Sequence, residues 1–155
     1  MGWIDAIVIL IVIFVTVLEA LRSSDGLSLP LFDVIGAWLA VKVTGLFYDD
    51  LARIAGWSEF TSYLMLIVVL FVALAFLAKW AHNQAMLTLD TFDSILGTLC
   101  GFVTGGLIAH AVLRLMLLAN PAEEKQIQQC WACRQVLYVE AFKRAGKTME
   151  ELGEY

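Results

Sequence analysis

Long runs of apolar residues alternate with short polar segments through the first 119 residues of the chain. A helix needs about twenty apolar residues to cross the hydrocarbon core of a bilayer, because each residue adds about 1.5 Å. Ile and Val dominate the first run; they favour strands in water but suit a helix in lipid, where the backbone must bond internally. The pattern predicts four transmembrane helices, at about 4–21, 31–47, 60–79 and 91–119.

The second apolar run, 31–47, is the weakest of the four because it contains Asp33 and Lys42. A charge inside the bilayer is costly unless it reaches water or a partner. The two residues are nine positions apart, which places them about 180° apart around a helix. Their partners must therefore come from other helices. We expect this run to cross fully; a re-entrant or interfacial helix is the alternative.

A more polar tail, residues 120–155, follows the transmembrane domain 1–119. Asn120 before Pro121 and two acids is typical of a new helix start. The spacing of apolar residues predicts one amphipathic helix that ends near Gly146. Its apolar side would hold Ile127, Cys130, Trp131, Leu137, Tyr138 and Phe142. The expected fold is all-α, a polytopic membrane bundle of four transmembrane helices with a C-terminal amphipathic helix.

The basic residues of the loops predict how the helices are oriented, because cytoplasmic loops carry an excess of Lys and Arg. With four crossings, both ends and Arg53 lie on one side, together with the five bases of the tail. Arg22 and Lys79 lie on the other side. Both termini are therefore expected in the cytoplasm. If 31–47 does not cross, the tail moves to the opposite side.

The composition supports the membrane assignment and narrows the function. Hydrophobic residues make up 61% of the chain and charged residues 16%, with a mean hydropathy of +0.81, which is too apolar for an ordinary soluble domain. The net charge of −5 leaves no basic surface for nucleic acid. No Ser-His-Asp set, phosphate loop or H-E-x-x-H motif occurs in the sequence. We expect neither an enzyme nor a cofactor.

A glycine stripe, defined as Gly97, Gly101 and Gly105, forms two overlapping G-x-x-x-G motifs in the fourth run. Small residues at this spacing leave a groove that another helix can approach closely. We expect the stripe to pack against a helix of the same chain or of a second copy; a glycine-lined permeation path is the alternative. Gly36 and Ala40 repeat the spacing in the second run. We therefore expect the second and fourth helices to meet, with Ala40 beside Gly101.

The chain resembles the colicin V production protein (CvpA) family of bacterial inner-membrane proteins. The resemblance lies in Trp3-Ile4-Asp5 at the first helix and in the segment 93–97, which runs into the glycine stripe. It covers residues 1 to about 119 and leaves the tail uncovered. The resemblance implies a four-helix protein of the bacterial inner membrane that is linked to toxin production and envelope physiology. It supplies no catalytic residues.

Cys130 and Cys133 form a C-x-x-C motif in the tail. A thioredoxin-like site would need a strand before the helix, and a haem attachment would need His where Arg134 stands. Zinc would need two further ligands that the tail lacks. We expect the two cysteines to be small packing residues that share a helix face, with a metal site as the weak alternative.

Five ionisable residues within the apolar runs could form an intramembrane polar path for a proton or an anion: Asp5, Asp33, Lys42, His110 and Arg114. Such residues often mark a transport pathway. The simpler interpretation is structural, because residues near helix ends can reach the interface and the others can bond to a neighbouring helix.

The sequence leaves three functions open. The favoured one is a non-enzymatic membrane scaffold or envelope and toxin-production factor that acts by helix packing and partner recruitment. The second is an accessory transmembrane subunit of a larger complex, and the third is a small channel or transporter. Besides the lipid bilayer, the expected partners are further copies of the chain or other membrane subunits, bound through the glycine stripe and the C-terminal helix.

Overall fold

The computed structural model describes residues 2–23, 26–84 and 93–138, and every regular element in these ranges is helical. Each of the first four helices is long and apolar enough to cross a membrane, including the second, which has 28 residues. The prediction of an all-α membrane protein with four transmembrane helices is confirmed. These helices are α1 (Trp3–Arg22), α2 (Ser28–Ala55), α3 (Glu59–Gln84) and α4 (Asp93–Ala119).

The outside of the bundle is covered by large apolar side chains. Phe14 is 60% exposed, Phe102 is 63% exposed and Phe76 is 75% exposed. In water such a surface would cause aggregation, whereas in a bilayer it contacts lipid tails. Trp3, Trp57 and Trp80 lie at or near helix ends, where an aromatic belt contacts both interfaces. The burial pattern therefore agrees with the membrane assignment made from composition.

The glycine stripe of α4 packs against α1, and the two helices run antiparallel. A Cβ atom on Gly101 would lie 2.9 Å from Thr16 Cα, and one on Gly105 would lie 3.0 Å from Val12 Cα. At Gly97 a Cβ atom would overlap the side chain of Ser23. Side chains on these glycines would hold the two backbones apart, which explains why α4 has glycine at three successive turns.

Helices α2 and α4 meet as predicted, but the expected contact of α2 with the glycine stripe is wrong, because α1 lies against the stripe. Gly36 packs against Leu74 of α3, where a Cβ atom would lie 3.3 Å from Leu74 Cβ. Ala40 is fully buried in a cluster that contains Tyr63 of α3 and Ala111 of α4. Helices α2 and α4 thus share a buried cluster that includes Ala40 and Ala111, beyond the glycine stripe along α4. The spacing of small residues indicated helix contacts correctly but could not indicate which helices are paired.

The described part of the tail is not one amphipathic helix. A 3₁₀ turn (Pro121–Glu123) leads into α5 (Glu124–Gln129), and Cys130 then adopts an extended conformation before α6 (Trp131–Tyr138). The Asn120 cap is confirmed, since its side-chain oxygen accepts the Ala122 N–H at 3.3 Å. Phe142 and Gly146 of the predicted helix lie outside the described residues.

The tail segment, defined as residues 121–138, folds back onto the bundle. Ile127 is 1% exposed, whereas Trp131, predicted on the apolar side, is 65% exposed. Eight buried residues of α1, α4 and the tail segment form one apolar cluster, named here the tail cluster. Its members are Ile4, Val8, Ala109, Leu113, Ile127, Cys130, Ala132 and Cys133. The tail segment therefore covers the start of α1 and the last turns of α4.

Candidate functional site

Asp5 lies in the first turn of α1 and is buried beneath the tail segment, with 7% of its surface exposed. Its Oδ2 accepts the Gly2 N–H at 2.9 Å, and its Oδ1 accepts the Ala132 N–H at 3.3 Å. An acid in the first turn is stabilised by the positive end of the helix dipole. One carboxylate thus satisfies two backbone donors, of which one belongs to a residue 127 positions away.

Cys130 and Cys133 form a disulfide bond beside this carboxylate. Asp5 Oδ1 lies 2.9 Å from Cys130 Sγ, and the Cys133 N–H donates to Cys130 Sγ at 3.0 Å. Cys133 has no exposed surface and Cys130 has 5%. The two cysteines are buried as expected, but the expectation of simple packing residues misses the bond between them and the acid.

A cavity of about 330 Å³ opens next to the site. Its lining includes Trp3 and Asp5 from α1, together with Gln126, Gln129 and Cys130 from the tail segment. Cys133 does not line it. A small molecule or an extended side chain can therefore reach Cys130 from the cavity, whereas Cys133 lies behind it.

The same three side chains could in principle hold a metal ion. One Asp5 oxygen and the two sulfurs lie within 4.8 Å of one another. A structural zinc site has four ligands, and the sulfurs must be thiolates. The described residues offer three ligands here, and the sulfurs are joined to each other. The arrangement fits a thiol–disulfide pair better than a metal centre.

A second polar cluster lies at the opposite end of α1. Arg22 Nη1 donates to Glu19 Oε1 and to Asp33 Oδ2, each at 3.1 Å. The Glu19 side chain is 6% exposed and that of Asp33 is 14% exposed. Asp33 thus pairs with Arg22 of α1. A partner on another helix was expected, because Asp33 and Lys42 lie on opposite sides of α2 and cannot pair with each other. One arginine thus pairs with two acids that lie close together, and its single positive charge offsets part of their combined negative charge.

The five residues of the predicted polar path do not converge on one cavity. Asp5 and Asp33 belong to the clusters at opposite ends of α1, and Lys42 and Arg114 are exposed on the surface of the bundle. His110 is partly buried, and its Nδ1–H donates to the Val136 carbonyl of α6 at 3.2 Å. Among the five, Asp5 alone lines the cavity described above. The geometry accounts for these residues individually as structural groups.

Sequence reasoning missed the link between Asp5 and the C-x-x-C motif. Asp5 and Cys130 are separated by 125 positions, and no spacing rule connects them. The one available signal was topological, because four crossings return the tail to the end of the bundle where α1 begins. Glu19 lies in the groove at Gly101, where a Cβ atom would come within 2.8 Å of Glu19 Cβ.

A family model described as colicin V production protein matches residues 4–141. The chain belongs to this family. The match begins one residue before Asp5 and continues past the end of α6. Both parts of the candidate site therefore lie within the length that the family shares, and the expectation that the resemblance stops near residue 119 was too short. No curated protein and no solved structure matches the chain.

Family membership and the four apolar helices together identify a multi-pass membrane protein. The family description names colicin V production, and it assigns no chemistry to individual residues. Any role for the candidate site has to be argued from its own geometry.

Proposed function

We propose that this family member works as a membrane scaffold that recruits a partner, rather than as an enzyme that turns over a substrate. The supporting observation is the docking of the tail segment on the ends of α1 and α4. A segment held in one position offers a partner a constant surface, so less conformational freedom is lost on binding.

Contacts of two kinds hold the tail segment in place. Ile127 is almost completely buried in the tail cluster. Polar contacts lie near each end of α6: Ala132 donates its N–H to Asp5, and Val136 accepts from His110. Because these contacts are spread along the segment and come from both α1 and α4, they fix its orientation as well as its position.

Trp131 is the residue of the tail segment that best fits a recruiting role. Its neighbours Cys130 and Ala132 are buried, whereas Trp131 is 65% exposed. Tryptophan is enriched among the residues that dominate binding energies at protein interfaces. The glycine stripe does not take this role in the proposal, because α1 already covers it within the chain.

The proposal includes a location in the bacterial inner membrane with both ends in the cytoplasm. The hydrogen bond between Ala132 and Asp5 joins the tail segment to the start of α1, so both belong to one face of the bundle. That face also carries Arg53, Lys125 and Arg134, and an excess of positive charge is typical of cytoplasmic loops.

The test is to extract the full chain from its native membrane in a gentle detergent and to measure the mass of the complex. We expect a discrete complex with another protein, which is lost when Ile127→Asp places a charge in the tail cluster. Trp131→Ala should weaken the complex without undocking the tail segment. Ile54→Asp is the matched control, because Ile54 is 85% exposed near the end of α2.

Two results would contradict recruitment through the tail segment. One is a complex that survives Ile127→Asp unchanged. The other is a native chain that migrates alone or only with copies of itself. If the partner proves to be an integral part of a larger membrane complex, the chain is an accessory subunit that binds through the same surface.

A further inference from the structure

We infer that Cys130, Cys133 and Asp5 form a thiol–disulfide exchange site that accepts two electrons from a dithiol. Cys130 is the sulfur that is attacked, Cys133 is the leaving sulfur, and Asp5 transfers a proton to Cys130. This inference goes beyond the scaffold role and does not depend on it. It rests on three features: the bonded pair, the buried carboxylate in contact with one sulfur, and the cavity lined by Cys130 and not by Cys133.

The surroundings of the two sulfurs are unequal, as an exchange site requires. Cys130 lines the cavity, whereas Cys133 is completely buried behind it. Exchange proceeds by attack of a thiolate on one disulfide sulfur, so access decides which sulfur reacts. A dithiol that enters the cavity therefore meets Cys130 and not Cys133, which makes Cys133 the leaving group.

Asp5 is placed to move a proton to or from Cys130. Its Oδ1 lies 2.9 Å from Cys130 Sγ, inside a buried site. A sulfur in a disulfide carries no hydrogen, so this contact becomes a hydrogen bond when Cys130 is reduced and its thiol donates to Asp5 Oδ1. A proton that reaches the carboxyl group as the pair is reduced can therefore pass directly to the Cys130 sulfur.

The start of α6 assists the same sulfur. Cys130 directly precedes α6, and the Cys133 N–H donates to Cys130 Sγ at 3.0 Å. A backbone donor and the positive end of a helix dipole stabilise negative charge that develops on a sulfur at this position. Cys130 can thus leave as a thiolate and then be protonated by Asp5.

The exchange takes two steps and transfers two electrons and two protons. A thiolate of the dithiol attacks Cys130 Sγ, the Cys130–Cys133 bond breaks, and a mixed disulfide forms. The second thiolate of the dithiol then attacks the other sulfur of the same dithiol, which is bonded to Cys130 in the mixed disulfide. The bond to Cys130 breaks, and Cys130 is released. The dithiol loses two electrons and two protons and becomes a disulfide. Cys130 and Cys133 gain them and become two thiols, with the proton of Cys130 delivered by Asp5.

The position of the pair in the chain also favours a reactive role over a structural one. A disulfide across three positions closes a very short loop, which constrains the unfolded chain less than a long loop does. In the orientation proposed above this face lies in the cytoplasm, where thiols are kept reduced and disulfides are mostly transient, catalytic or redox-sensing.

The first experiment counts thiols in the full-length protein, purified in a gentle detergent and carrying Cys100→Ser. The protein is equilibrated with mixtures of reduced and oxidised dithiothreitol, quenched with acid and unfolded, and its thiols are then labelled with a bulky maleimide. We expect no labelled thiol under oxidising mixtures, two under reducing mixtures, and a reversible change between them. A pair that is reduced only after denaturation would overturn the proposal, as would a pair that stays reduced and retains zinc.

The second experiment separates the roles of the three residues. Cys133→Ser should leave a Cys130 thiol that reacts rapidly with an aromatic disulfide reagent, whereas the Cys133 thiol of Cys130→Ser should react far more slowly. Equal rates would contradict the assignment of Cys130 as the attacked sulfur. Neither comparison requires a change at Asp5.

Asp5→Asn tests the proton transfer, because the amide oxygen can still accept the Ala132 N–H but the group cannot donate a carboxyl proton. We expect reduction by dithiothreitol to slow by on the order of a hundredfold, the usual scale of general acid catalysis. Asp33→Asn, at the other end of α1, is the control and should leave the rate unchanged. A native rate in Asp5→Asn would show that Asp5 takes no part.

Discussion

Gly101 lies so close to Thr16 that a Cβ atom on Gly101 would come within 2.9 Å of the Thr16 Cα atom. The same atom would lie 2.8 Å from Glu19 Cβ. The neighbour at Thr16 is backbone, which cannot rotate away as a side chain can. The contact between α1 and α4 therefore depends on the absence of a side chain at this position.

Gly101→Ala should lower the stability of the bundle, because α1 and α4 would have to move apart. The expected loss in the free energy of unfolding is about 1–3 kcal/mol, as for other overpacked interiors. Denaturant titration in mixed micelles measures it. Gly106→Ala is the control, since nothing lies within 4 Å of its Cβ position. Alanine there should leave stability unchanged or raise it by about 0.5–1 kcal/mol. Equal losses in both variants would contradict the packing.

Paired cysteines should report the helix contacts directly, in a background in which the three native cysteines are replaced by serine. Gly36→Cys with Leu74→Cys should form a crosslink on oxidation, because the two Cβ positions are 3.3 Å apart and disulfides need about 3.8 Å. Ala40→Cys with Gly101→Cys should not form one, because α1 occupies the space at Gly101. Gel mobility without reductant distinguishes the pairs, and the reverse result would place the glycine stripe against α2.

Replacing Arg22 by methionine should destabilise the protein, because Glu19 and Asp33 would both lose their positively charged partner. Leaving buried acceptors without a partner costs about 1–3 kcal/mol, and more when they are charged. Arg53→Met is the matched control. Arg53 is 71% exposed at its side chain and pairs with exposed Asp49 and Asp50, so its loss should cost at most about 1 kcal/mol. Unfolding midpoints that fall equally would argue against a special role for Arg22.

Labelling of single cysteines should locate the two faces of the bundle. Ser58 lies between α2 and α3, at the face of the start of α1, whereas Asn83 lies near the end of α3, at the other face. In a background without native cysteines, a membrane-impermeant maleimide should label Asn83→Cys in intact spheroplasts. Ser58→Cys should react only after the membrane is opened. The opposite pattern would place both ends outside the cytoplasm.

The membrane helices and the helix start at Asn120 could be predicted from the sequence. Four apolar runs dictate four membrane helices because an unsatisfied backbone cannot remain in lipid, and Asn120 with Pro121 marks a helix start because their side chains act on adjacent residues. Helix ends were less predictable. The second helix continues through the polar residues Asp49 and Asp50 to Ala55, because an exposed helix surface at the interface tolerates charges.

Helix pairing and the candidate site could not be predicted in the same way. The spacing of Gly97, Gly101 and Gly105 determines that some helix approaches α4, because it removes side chains from one face. Whether that helix is α1 or α2 depends on how the side chains of all four helices pack together. The spacing of residues in one helix does not contain that information.

By itself, the sequence determined the membrane environment, the four helices and the presence of a C-x-x-C motif, since these follow from interactions between near neighbours along the chain. Only the tertiary structure decided that Asp5 contacts Cys130, because that contact exists once α1 and α4 are packed and the tail segment has folded back onto them.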